Sequence, residues 1–259
     1  MKLFANDAAL RAANLMRMQR SNVRVIAAFL ALVIAGTAGS LLAADTEGVA
    51  VAIVYDTSGS MREMVPDAGG KSSPKYVIAN RALISIANQL EAFATNSTGG
   101  AARKVEAGVF IFDHNTGSPA VKFGRLDAEA IRRWAKDFSK PAGNTPLGNA
   151  LEVAAQALVN SPISRKHALV ITDGMNNAGP NPATVLPRIK RDAQNKGGTL
   201  NAHFVAFDVA AKVFDPVKKQ GATVVAAANE KELDTQLQFI LQRKILLEDE
   251  EPAKGKAAK

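Results

Sequence analysis

The chain has 259 residues, a formal net charge of +8, 47% hydrophobic and 22% charged residues, and no cysteine. Apolar and charge contents close to globular averages exclude wholesale disorder, and the length suits one domain, or two small ones, with a sizeable core. The missing cysteines exclude a disulfide framework, a thiol nucleophile, a thiolate zinc centre and an iron–sulfur cluster, and 3 histidines leave little for a histidine-rich metal site.

The basic excess is concentrated at the N-terminus. Lys2, Arg11, Arg17, Arg20 and Arg24 stand there against Asp7 alone, and Val25 to Ala44 follows as an uncharged, largely apolar run. This is the pattern of an export signal, with Leu42-Ala43-Ala44 before Asp45, or Gly36-Thr37-Ala38, as the cleavage site. At 1.5 Å per residue the run is also long enough to cross a ~30 Å hydrocarbon layer as a signal anchor. A buried helix of a cytosolic protein is the third reading. The first two place the remainder in the periplasm or on the extracytoplasmic side of the inner membrane. Residues 1–44 are therefore read as export signal or signal anchor, 45–247 as the folded domain, and 248–259 as a flexible charged tail. Half of the net charge belongs to residues 1–44. The domain itself has few tyrosines and tryptophans for a stacking platform, and no nucleic-acid partner is expected.

Beyond Gly48 strands alternate with helices. Gly48 to Tyr55 is a continuous apolar run, as in a parallel strand covered on both faces, and it ends at Asp56-Thr57-Ser58-Gly59-Ser60. A polar loop through Pro66, Gly69, Gly70 and Pro74 leads to a helix in which Tyr76, Ala79, Leu83, Ile86, Ala87, Leu90 and Phe93 form one stripe. A turn at Asn96 to Gly100 precedes a second strand, Val105 to Phe112, and Ala120 to Phe123 reads as a short antiparallel edge strand. A brief helix over 127–137 and a loop over 139–146 lead to an Ala-rich helix, Leu147 to Asn160. His167 to Thr172 is the next strand. The helix from Pro182 to about Lys196 confines Pro187 to its first turn or starts later. Leu200 to Phe207 is a strand, Lys212 to Gln220 a short helix that Pro216 opposes, and Thr223 to Ala227 the last strand. Glu230 to about Leu247 is a final helix with Leu233, Leu237, Ile240 and Leu241 on one face.

This order describes an α/β domain with a mostly parallel sheet and, through right-handed crossovers, helices on both faces. In such sheets ligands bind beyond the carboxyl ends of the strands, where the strand order reverses. Three clusters meet that rule: Asp56, Ser58 and Ser60 after the first strand, Thr145 before the Ala-rich helix, and Asp173 after Ala168-Leu169-Val170-Ile171-Thr172. Two carboxylates and three hydroxyls are hard oxygen donors, suited to Mg2+ or Mn2+ rather than zinc.

With Asp56-Thr57-Ser58-Gly59-Ser60-Met61, Gly143-Asn144-Thr145-Pro146-Leu147-Gly148 and Ile171-Thr172-Asp173-Gly174, the sequence resembles a von Willebrand factor type A (vWA) domain of bacterial type with a complete metal-ion-dependent adhesion site (MIDAS). The resemblance implies a doubly wound, mostly parallel six-stranded sheet with one antiparallel edge strand and helices on both faces. It also implies a bound Mg2+ or Mn2+, with Ser58 and Ser60 as direct ligands and Thr145 as a conditional one. Asp56 and Asp173 would act directly or through water. An open coordination position would take a Glu or Asp from a protein partner. Some members of that family shift the last helix, here the one from Glu230.

Each cluster alone is also compatible with ordinary capping and turn chemistry. An enzyme is the main alternative, since Asp56 after the first strand resembles the haloacid-dehalogenase-like phosphatases, which are Mg2+-dependent. Ser58, however, stands where that chemistry needs a second acid. No Walker loop, GxGxxG fingerprint or nucleophile elbow is present. A binding module rather than an enzyme is expected, with a structural envelope scaffold and incidental metal binding as the other alternative. His167 and His203 read as structural, His114 with Asp113 as site rim or surface loop, Asp208 as a source of negative potential or a cap, and Trp134 as packing at the sheet edge.

Overall fold

The computed structural model describes residues 48–96 and 103–246. The export or anchor segment, the charged tail and most of the turn expected at Asn96 to Gly100 lie outside the described residues.

Strands β1 (Gly48–Tyr55), β4 (Lys104–Asp113), β5 (Thr116–Arg125), β6 (Arg165–Thr172), β7 (Thr199–Phe207) and β8 (Thr223–Ala227) form one sheet in the order β5-β4-β1-β6-β7-β8. β5 is antiparallel to β4 and every other pairing is parallel. Helices α1 (Lys75–Thr95), α2 (Ala128–Asp137) and α6 (Glu230–Ile240) cover one face. Helices α3 (Leu147–Asn160), α4 (Pro182–Asn195) and the short α5 (Asp215–Lys219) cover the other. Every residue of β1 is buried, which is why its run is apolar without alternation. Val49, Val51, Ile53 and Tyr55 face α1, whereas Ala50, Ala52 and Val54 face α3. The small residues on the second side meet Ala150, Ala154 and Ala155 of α3, so that helix lies close to the sheet. Gly117 of β5 belongs to the same close approach, because a Cβ there would overlap the backbone of Ala150.

Four segments differ from the sequence reading. The edge strand is Thr116–Arg125 rather than 120–123, since Pro119 and two glycines hide a hairpin partner; an edge position tolerates a missing N–H. The polar loop before α1 contains a small antiparallel hairpin, β2 (Met64–Pro66) with β3 (Ser72–Pro74). Helix α4 continues through Pro187, held by a buried stripe of Val185, Leu186, Ile189 and Ala193 that offsets the proline penalty. The last helix is α-helical only to Ile240 and continues as a π-helical turn, Leu241–Ile245. Its N-terminus is tethered: the buried Glu230 carboxylate accepts Arg81 Nε at 2.5 Å, a second Arg81 nitrogen at 2.9 Å and the Ala68 N–H at 2.7 Å.

His167 and His203 meet inside the sheet, rings stacked at 5.4 Å with Nδ1 of the first 3.1 Å from Nε2 of the second. Burial, aided by the charges of Lys244 and Lys190, pushes the His203 pKa down to about 4. Burial and the His203 partner also hold His167 well below its ordinary value. Both side chains are therefore neutral at pH 7, as the structural reading expects. A depressed folded-state pKa makes stability fall as pH drops from the unfolded value near 6.5 toward the folded one. Between pH 7 and pH 5 the wild type is expected to lose on the order of 2 kcal/mol more than His203→Gln, measured by urea unfolding at both pH values. Equal losses in the two proteins would contradict the assignment.

Candidate functional site

β1 runs up to Asp56, whose side chain has no exposed surface. The Asp56 N–H extends the ladder to Ile171 O at 3.0 Å, so β1 and β6 end side by side where the chain has crossed from one half of the sheet to the other. Asp56 Oδ1 accepts the Ser58 N–H at 2.8 Å and closes a short turn, while Oδ2 accepts the Thr172 hydroxyl at 2.6 Å. Thr57 serves the scaffold instead: its hydroxyl donates to Phe112 O at 3.0 Å and accepts the Phe112 N–H at 3.2 Å, fastening the loop to β4.

From that turn a polar chain crosses the switch point. The Ser58 and Ser60 hydroxyl oxygens are 3.1 Å apart, and Ser60 donates to Asp173 Oδ1 at 2.8 Å. Thr145 arrives from the loop before α3. Its N–H donates to Asn177 Oδ1 at 2.7 Å, its carbonyl accepts the Asn177 N–H at 3.1 Å, and its hydroxyl lies against Gly174. Gly59 N to Gly143 O at 3.2 Å and Ala142 N to Thr57 O at 2.7 Å stitch the two loops together. The structure thus gathers Asp56, Ser58, Ser60, Thr145 and Asp173 at one point. All are buried except Ser60, which is half-buried and forms the open side.

The strand end beneath is stiffened by aromatic packing. Tyr55 donates its hydroxyl to Asn80 Oδ1 at 2.7 Å and meets Trp134 edge-on at 5.2 Å. Trp134 in turn stacks on Phe138 at 5.0 Å, so it buttresses the residue before Asp56.

Burial, and then the charge of Asp173, raise the Asp56 pKa to about 6 against the opposing hydrogen bonds of Ser58 and Thr172. Two mutually repelling carboxylates with hydroxyls between them suit a cation. Among the described residues no group of three or more His, Asp or Glu side chains is placed to hold a metal ion. A cation here would therefore rely on hydroxyl oxygens as well as carboxylates. That donor set fits Mg2+ or Mn2+ and fits zinc poorly.

Sequence reasoning missed Lys75, the first residue of α1. Its buried ammonium lies 2.7 Å from Glu63, 3.0 Å from Asp208 and 3.1 Å from Asp173 Oδ2. Burial disfavours its charge, but the hydrogen bonds to Glu63 and Asp208 and the charge of Asp173 outweigh burial and raise its pKa. The available signal was a lysine in the first turn of a helix, where the helix dipole disfavours a cation. Asp208, in the left-handed region at φ 54°, belongs to this rim. His114 is exposed in the β4–β5 turn and pairs with Asp113 at 2.7 Å.

The sequence matches no protein-family model and no curated protein. Solved structures do match in fold. The PilB minor pilin from Streptococcus sanguinis aligns with TM-score 0.55 at 14% identity, over 75% of this chain and 60% of the pilin. Proximal thread matrix protein 1 from the mussel byssus, with a zinc-occupied MIDAS motif, aligns with TM-score 0.51 at 16% identity, over 75% of this chain and 47% of its own. The vWF domain of the type V pili tip protein Mfa5 from Porphyromonas gingivalis gives 0.53 at 13% identity, over 76% of this chain and 95% of that domain. The chain spans less than two thirds of the pilin and of the byssus protein. The likeness is one of fold: the described domain has the vWA architecture.

Thr172→Val keeps the shape and strand preference of the side chain but removes the donor to Asp56 and the acceptor for the Gly174 N–H at 3.3 Å. A loss of about 1–3 kcal/mol in urea unfolding at pH 7.5 is expected, because Asp56 stays buried with one hydrogen bond fewer. An unchanged midpoint would show that this bond does not hold the site.

Proposed function

We propose that the domain is a divalent-cation-dependent protein-binding module of the cell envelope, in which a MIDAS-type Mg2+ or Mn2+ captures a carboxylate of a partner. The observation that carries this reading is the hydrogen-bonded chain Asp56–Ser58–Ser60–Asp173 across the ends of β1 and β6. Ser58 and Ser60 are the direct hydroxyl ligands, Thr145 a conditional one, and Asp56 and Asp173 hold water or bind directly. A cation with few anionic ligands stays electron-poor and accepts an external Glu or Asp. Met64 and Met175, 56% and 64% exposed beside Glu63 and Gly174, offer apolar contacts around such a carboxylate. The vWA fold of two pilus proteins and of a byssus matrix protein supports binding rather than turnover. Ser58, at the position where a phosphatase needs its second acid, does the same.

The extracytoplasmic location belongs to this proposal and rests on residues 1–44, with membrane anchoring through residues 25–44 if the segment is retained. Among the described residues no helix is long and apolar enough to cross a membrane. N-terminal sequencing of protein recovered from the cell envelope is expected to start at Asp45. A chain retaining Met1 in the membrane fraction would mean anchoring, and one in the cytosol would overturn export.

Isothermal titration of the full chain with Mg2+ tests the site. The wild type is expected to bind one ion, with at least tenfold weaker binding in Asp56→Ala and in Ser58→Ala. Equal affinity in all three proteins would refute the assignment.

A further inference from the structure

Lys75 is placed by its own backbone, whose N–H donates to Glu63 O at 2.9 Å where the β2–β3 hairpin joins α1. An ammonium has three N–H donors, and here three carboxylates receive them. Only one of those carboxylates belongs to the proposed metal shell. Asp173 is shared between two claims, Oδ1 accepting from Ser60 and Oδ2 from Lys75. A fixed positive charge therefore sits directly behind a candidate ligand, in a place almost closed to solvent.

We propose that Lys75 is a built-in counter-cation of this site: it balances Asp173 when no metal is present and weakens the hold on a divalent cation. The inference rests on the metal-site reading above. Two effects of the lysine oppose each other. As an anchor it fixes the Asp173 carboxylate and would favour binding, but Ser60 holds the other oxygen of the same group, so its loss removes one hydrogen bond of two. As a charge it repels a divalent ion across a single carboxylate in a poorly screened interior, and that repulsion is doubled by the charge of the ion. The charge effect exceeds the anchoring effect. A loosely held cation then depends on the carboxylate of the partner to stay in place, so metal and partner bind cooperatively.

Calorimetric Mg2+ titration and thermal unfolding, with and without Mg2+, of the full-length wild type, Lys75→Gln, Lys75→Arg and Asp208→Asn test the inference. Lys75→Gln is expected to melt lower than the wild type without Mg2+, to gain more in Tm when Mg2+ is added, and to bind Mg2+ at least tenfold more tightly, about 1.4 kcal/mol. Lys75→Arg, which keeps the charge, is expected to stay within threefold of the wild type. Asp208→Asn leaves Lys75 with one counter-charge fewer and is expected to bind Mg2+ more weakly; it carries the test if Lys75→Gln does not fold. Unchanged or weaker Mg2+ binding in Lys75→Gln, or unchanged or tighter binding in Asp208→Asn, would make Lys75 a purely structural anchor and overturn the inference. Absence of Mg2+ binding in the wild type and every variant would instead overturn the metal site itself, and this inference with it.

Discussion

Asp56 is a carboxylate with no exposed surface, and a buried charge persists only where hydrogen bonds or an opposite charge hold it. Much of the upper edge of the sheet follows from that requirement. The Ser58 turn satisfies one oxygen and the last residue of β6 satisfies the other, so β1 and β6 must end level with each other. Burial raises the Asp56 pKa, and the charge of Asp173 in the same enclosure raises it further, a repulsion that a nearby cation would relieve. Lys75 pairs with Asp173 from behind, and the proposed divalent ion would act on both carboxylates from the side of Ser60.

The remainder of the fold holds these few atoms in place. A fully buried β1, small residues under α3 and the aromatic stack behind Tyr55 give the strand end little freedom to move. Thr57 ties the loop to β4, and Gly59 and Ala142 tie it to the loop that carries Thr145. The tether from Glu230 to Arg81 and Ala68 joins the last helix to α1 and to the hairpin loop near the same edge. A movement of that helix relative to α1 would break a doubly hydrogen-bonded ion pair whose carboxylate is buried and whose guanidinium is half exposed.

The strands flanking the switch point were legible in the sequence because both of their faces are covered. Continuous apolar runs such as Val49 to Tyr55 and Ala168 to Ile171, short, rich in β-branched residues and closed by polar residues, fit a strand covered on both faces better than a helix. The edge was less legible: β5 is half exposed, so Pro119, Gly117 and Gly124 could be accommodated there and concealed its length. The gathering of Asp56, Ser58, Ser60, Thr145 and Asp173 was foreseeable, since each lies at a strand end or before a helix on the side that the topology makes the binding edge. Lys75 was not, because its role depends on residues up to 133 positions away, and the one local signal, a cation in the first turn of a helix, says nothing of its partners. The course of α4 through Pro187 was hidden for a similar reason: packing of the buried stripe, a tertiary effect, overrides the local preference.

Direct observation of the ion tests the central claim. Crystals of the protein grown or soaked with Mn2+ and measured at a wavelength with strong manganese anomalous scattering are expected to show one peak, within coordination distance of both Ser58 and Ser60 hydroxyls and on the Oδ1 side of Asp173. An anomalous map with no peak there, or with manganese bound only elsewhere on the domain, would contradict the account.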